Sequence, residues 1–225
     1  MTPRAIVRTA LEKSLDMIAI CDHNSARNVS ATRRAAAGSN LAVIPGIEIS
    51  SSEEVHVLGL FECETEADAV QEEVYARLIG ENKEEVFGYQ VVVDEFDDVE
   101  DLDQRLLIGA TTLNTRRVAN LIHELQGLTI ACHVDRQSFG IFSHLGFIPK
   151  NLKLDALEVS RFSDFGKIRA KFPEAGNYPL ITSSDAHYLK DIGSAVTLAR
   201  MAKPSFAELK KALAGQEGRA IMEAI

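Results

Sequence analysis

Four of the chain's six histidines fall where a short apolar run ends or passes, and carboxylates stand at equivalent points of neighbouring runs. "MIAIC" (17–21) leads into Asp22 and His23, "LAVIPGIEIS" (41–50) carries Glu48, and "EVHVLGLF" (54–61) carries His56. "LTIAC" (128–132) precedes His133, and "PLITSSDAH" (179–187) ends in Asp185 and His187. Short apolar runs that alternate with helical patterns predict an α/β fold whose sheet or barrel is mostly parallel. Ligands gather at the carboxyl ends of the strands in such folds. Imidazoles and carboxylates repeated at that end predict one polar cup on an apolar floor.

The helical patterns are bounded by recognisable chemistry. Thr2 followed by Pro3 reads as an N-cap with proline in the first turn, Asn114 reads as the cap of "TRRVANLIHELQ", and Gly38, Gly80 and Gly127 read as helix stops. A strand is expected at 155–161 and a last helix from Ser205. Residues 81–113 break the rhythm with seven acidic residues between Asp94 and Asp103, and are expected to be an insertion with a solvated acidic face. No repeat or linker divides the chain, so a single domain is expected over 1–225.

Composition narrows the partners. With 46% hydrophobic and 25% charged residues the chain reads as an ordinary folded domain, and no uncharged apolar run reaches membrane-spanning length, so no membrane partner is expected. The formal charge of −9 and the lack of any Lys/Arg-rich run lead to the expectation that the chain does not hold long nucleic acid. Cys21, Cys63 and Cys132 are widely spaced and odd in number, which predicts a reducing, cytoplasmic setting.

Taken singly, the strand-end residues say little, since a lone histidine is commonly structural and an Asp-x-His triplet is barely informative. Their coincidence points to shared binding of divalent metal, for which imidazole and carboxylate are the usual ligands. Asp185 and His187, two apart on an expected strand, would share a face. Arg136 and Arg161 lie just past strand ends, where a guanidinium fork suits a substrate phosphate. His123 and His144 are read as structural, and Cys132 as a core residue pointing away from the face that His133 uses.

The successive segments "AICDHN", "VIPGIEIS", "EVHVLGLF", "ACHVDR" and "ITSSDAH" resemble the motifs of the PHP (polymerase and histidinol phosphatase) family. The resemblance implies a distorted (β/α)7 barrel and a cluster of one to three divalent ions, zinc, manganese or iron, that activates a water against a phosphoester. It places His23, Glu48, His56, His133, Asp185 and His187 on ligand positions and Asp22 in support of them. It also implies that Glu48, His56 and His133 make one complete ion site.

The family's first strand, with its His-x-His ligands, has no counterpart ahead of Pro3. An incomplete barrel with impaired activity and an exposed edge suited to self-association is therefore expected. A shortened sequence, a natural variant and a barrel completed by a neighbouring chain all stay open. The activity expected is hydrolysis of phosphate esters of small metabolites, nucleotides or short RNA ends. The alternatives are a catalytically impaired PHP-like metal-binding scaffold or regulatory module, and a metal-dependent amidohydrolase.

Overall fold

The computed structural model describes residues 1–222; the last three positions of the expected 1–225 domain lie outside the described residues. The chain opens with helix α1 (Pro3–Glu12), whose first turn carries Pro3, and passes into strand β1 (Met17–Ile20). Helix α2 (Val29–Ala35) leads to β2 (Ala42–Ser50), which turns back as β3 (His56–Leu60) and continues into α3 (Glu64–Tyr75). The inserted segment holds a short helix α4 (Glu84–Phe87) and the hairpin β4 (Val91–Val93) and β5 (Val99–Leu102).

Helix α5 (Thr115–Glu124) follows, capped as expected by Asn114, whose side chain accepts from Arg117 N at 2.8 Å. Then come β6 (Leu128–Ala131), α6 (Ile141–His144), β7 (Ala156–Glu158), α7 (Phe165–Lys171) and β8 (Leu180–Ile181). The described chain ends with β9 (Leu198–Arg200), α8 (Phe206–Leu213) and β10 (Ala220–Met222), the two strands pairing antiparallel. No helix among the described residues is long and apolar enough to cross a membrane.

Six strands form one curled sheet in the order β1-β2-β3-β6-β7-β8. It is less parallel than the alternating pattern suggests. β1 runs parallel to β2, and β6, β7 and β8 run parallel to one another, whereas β3 is antiparallel to both β2 and β6. Only residues 51–55 separate β2 from β3, and so short a connection can join strands only as a hairpin.

That reversal matters for the site. His56 is the first residue of β3, and the reversed direction brings it to the end of the sheet where β2 finishes.

The core lies between the sheet and its helices. Ile47, Ile49, Val55, Val57 and Phe61 on the hairpin pack with Val70 and Val74 of α3 and with Val118 and Ile122 of α5. Each apolar side chain buried there contributes about 1.5–3 kcal/mol, so β2 and β3 are held as a rigid platform.

Gly46 admits a close approach on the other face, since a Cβ there would lie 2.5 Å from Cys21 Sγ. The acidic run differs from the solvated face expected of it. Asp103 is buried and accepts from Tyr75 Oη at 2.9 Å, while Asp101 and Glu95 pair with Arg27 and Arg34 of the α2 region.

Candidate metal centre

The sheet brings its donors together around one carboxylate. Glu48 Oε1 lies 3.0 Å from His56 Nδ1 and 3.6 Å from His133 Nε2, and Oε2 lies 3.1 Å from His23 Nδ1. Ring centroids of His23 and His56, and of His56 and His133, are 5.3 Å apart. One donor atom from each of His23, Glu48 and His56 falls within 4.8 Å of the others. His133 approaches the same carboxylate oxygen as His56.

Each approach has a local cause. Glu48 and His56 are diagonal neighbours on the β2–β3 ladder, where Ser50 pairs with His56 and Glu48 with Leu58, so both point to one face. His23 is carried alongside Glu48 by an extension of the parallel β1–β2 pairing. In it Glu48 N donates to the Asp22 carbonyl at 3.1 Å, and Asn24 N donates to the Glu48 carbonyl at 2.7 Å. Asn24, with φ +51°, then anchors the inserted segment through Leu107 O and Gly109 O, both at 2.8 Å.

His133 arrives by a backbone turn. Strand β6 ends at Ala131, and His133 takes φ +29°, which breaks the two-residue alternation. Cys132 sits opposite His56 on the antiparallel ladder, bonded through Cys132 N to His56 O at 3.1 Å, and so shares the face of Glu48. It is buried as expected but forms part of the cup floor. Burial, reinforced by the Glu48 charge, pushes its thiol well above the ordinary range.

The charge state is set by these contacts. Burial opposes ionisation of Glu48, but the imidazoles of His133 and His56 outweigh it and hold the carboxyl far below its usual range. Burial lowers the pKa of His23 despite the opposing pull of Glu48, which disfavours its charged form. His133 Nδ1 is buried with no hydrogen-bond partner. A carboxylate whose ionised form is favoured by surrounding imidazoles, one with an orphaned buried nitrogen, fits the donor set of a divalent transition metal.

The other expected site residues are placed less tightly. Asp185 does not sit on a strand, because β8 ends at Ile181; it takes φ +44° in an irregular loop. Its Oδ2 accepts from Arg136 Nη1 at 2.6 Å, so Arg136 is engaged with a carboxylate. His187 is exposed, with its ring 5.9 Å from that of His23. Arg161 is held by Asp191 Oδ1 at 3.2 Å and Ser194 Oγ at 2.7 Å. Asp22 accepts from Asn28 Nδ2 at 3.2 Å, and burial raises its pKa above the ordinary value.

Two participants escape the sequence pattern. Glu158 ends β7 inside "DALEVSR", is 3% exposed and accepts from Ser183 Oγ at 2.9 Å. Burial raises its pKa to about 7, against the lowering effects of Ser183 and His133. A carboxylate closing a three-residue apolar strand was the available signal. Phe139 stacks on His56 at 4.2 Å between centroids and accepts through its carbonyl from His56 N at 3.0 Å. His144 supports that loop by accepting from Phe139 N at 3.0 Å, whereas His123 lies away from the cluster on Asp155, at 2.8 Å.

Residues 170–217, which include Asp185 and His187, match the family model PHP_C, described as PHP-associated. The lesion-specific endonuclease PfuEndoQ from Pyrococcus furiosus superposes with a TM-score of 0.73 at 18% identity, over 99% of this chain and 53% of that one.

The chain has a PHP-type fold. A candidate metal-dependent phosphoesterase from Bifidobacterium adolescentis shares it at TM-score 0.58 and 16% identity, over 87% of this chain and 86% of that one. So does an amidohydrolase from Chromobacterium violaceum, solved with bound sulfate and no metal, at TM-score 0.56 and 16% identity over 86% and 85%. No curated protein sequence matches the chain.

The PHP motifs read from the sequence therefore agree with the fold. The chain spans about half the length of the endonuclease structures, 53% and 54% of them. One of these is a complex of Endonuclease Q with a 27-mer duplex carrying an abasic lesion at its active site, at TM-score 0.71 and 17% identity. The expectation that long nucleic acid is excluded does not stand. Net charge is a whole-chain sum, whereas phosphate contact depends on local groups and bound ions.

Proposed function

We propose that the chain is a divalent-metal-dependent phosphoesterase, with zinc, manganese or iron held by His23, Glu48, His56 and His133 and approached from the open side by Asp185 and His187. The observation that carries this reading is the convergence of three imidazoles on one buried, ionised carboxylate. Bound there, such an ion supplies Lewis acidity toward a phosphoryl oxygen and lowers the pKa of a water. The substrates that suit the cup are phosphate esters of metabolites, nucleotides or nucleic-acid strands, duplex strands included.

The chain's own residues supply orientation. Glu48 fixes the rings of His23 and His56 through their Nδ1 atoms, and Phe139 shields His56 from water on its stacked face. Glu158 accepts from Ser183 at Oε1, and burial raises its pKa to about 7, so it can hold a proton near neutral pH. Arg136 and Arg161 act as positioning groups, one holding Asp185 and the other the 191–194 loop. Asp22 ties β1 to the Asn28 side chain, which also accepts from Val93 N at 3.1 Å.

The amidohydrolase fold neighbour supports a second reading of the same centre. None of the six sheet strands carries a lysine, so a carboxylated-lysine bridge of the kind used by many amidohydrolases has no candidate there.

The test is phosphate or nucleotide release by the manganese- or zinc-loaded chain from glycerol phosphate, a nucleoside bisphosphate and duplex DNA with an abasic site. Release that stops on chelation is expected. Fewer than one ion bound per chain, with no release from any of the three, would overturn the reading.

A further inference from the structure

The loops around the metal centre expose large rings that its chemistry does not use. Phe162, just past β7, is 81% exposed, and Tyr188, next to His187, is 67% exposed. An isolated exposed aromatic is ordinary. These two are linked: Arg161 sits over the Phe162 ring at 4.9 Å and bonds Asp191, while Lys190 sits over the Tyr188 ring at 5.7 Å. Asp191 N in turn donates to Tyr188 O at 2.9 Å. The result is two open rings, each paired with a cation and tied together through Arg161 and Asp191, beside the loop that carries His187.

We propose that this rim is a stacking platform for an unpaired nucleotide of a nucleic-acid strand whose phosphate lies over the Glu48 cluster. The proposal rests on the phosphoesterase reading for the position of the phosphate. Exposed rings stack bases without regard to sequence, and interleaved cations track the backbone, so this combination suits a single-stranded or flipped-out segment. A protein partner would leave the neighbouring phosphate chemistry unused. The rim therefore favours nucleic acid over small metabolite phosphates as the substrate class.

The test uses the zinc-loaded full chain and a strand with phosphorothioate linkages, which slow hydrolysis so that binding is read ahead of turnover. The probe is a 12-nucleotide single strand carrying 2-aminopurine, whose fluorescence is quenched on stacking. Quenching by the wild type is expected, with Kd rising roughly 5- to 100-fold in Phe162→Ala and Tyr188→Ala and less in Phe162→Tyr, which keeps a ring. Both side chains are exposed, so an unchanged urea midpoint is expected to show that the variants fold.

No quenching in the wild type, or an unchanged Kd in the double variant, would overturn the platform. So would concentration-dependent self-association that the double variant abolishes while the strand fails to bind, since the rim would then be an interface between copies. Quenching sensitive to both rings, with no phosphate released from any ester by the metal-loaded wild type, sinks the phosphoesterase reading and leaves the platform standing.

Discussion

On the β2–β3–β6 wall of the cup, Glu48, His56 and His133 are 7%, 4% and 3% exposed. On the β7–β8 wall, Asp185 sits in an irregular loop paired with Arg136, and the His187 side chain is 60% exposed. In the first wall Glu48 and His56 stand on regular ladder positions and His133 follows the end of β6 through a tight turn. The second hangs from two- and three-residue strands, and its His187 is open to solvent although Glu158 at the end of β7 is buried. Two carboxylates show the consequence. Glu48 and Glu158 are both buried, but Glu48 is surrounded by imidazoles and stays ionised, whereas Glu158 has one hydroxyl partner and holds its proton to about pH 7. Burial alone does not decide charge; the partners that survive burial do.

The largest expected effect falls on the first wall. Glu48→Gln should weaken zinc or manganese binding at least about 100-fold by calorimetry, beyond the 10–100-fold typical of groups that only support ligands. A smaller loss than that of His187→Ala would reverse the ranking of the walls.

Next, His56→Ala in the metal-free chain should cost about 3 kcal/mol in urea unfolding, because it leaves a buried charge short of a partner and strips the Phe139 ring of its stack. His187→Ala should cost under about 0.5 kcal/mol. Equal losses would show that the walls are equally rigid.

The carboxylates give opposite pH dependences. With its pKa raised from 4.5 to about 7, Glu158 binds more protons in the folded than in the unfolded chain between those values. Its contribution is full below about pH 4.5 and is lost as pH rises through about 7, up to roughly 3 kcal/mol. Glu158→Gln, which keeps an acceptor for Ser183, should flatten that part of the stability–pH curve. Glu48, held low, behaves the other way, contributing above its ordinary 4.5 and losing that contribution as pH falls through its depressed folded value. An unchanged curve in Glu158→Gln would place the proton elsewhere.

The smallest effect is expected at the partly exposed Arg136–Asp185 pair, where Arg136→Met should change stability by under about 1 kcal/mol. A larger loss would mean the second wall is better ordered than its exposure suggests.

Local chemistry made much of this legible in the chain. Apolar runs bounded by turn residues marked β1, β2, β3 and β6, Asn114 marked the start of α5, and strand-end donors marked the cup. These signals depend on a few adjacent residues, so they survive without a structure.

What tertiary structure decided were directions and partners. It reversed β3, bringing His56 to the end of the sheet where β2 finishes, and turned His133 inward through φ +29°. It set Cys132 on the same face as Glu48, gave Arg136 to Asp185, and brought Glu158 beside the cluster. The reversal of β3 follows from the short 51–55 connection, but the other pairings depend on residues tens of positions away that share space only after folding, and a side chain's charge and aim follow from those neighbours rather than from its own stretch of sequence.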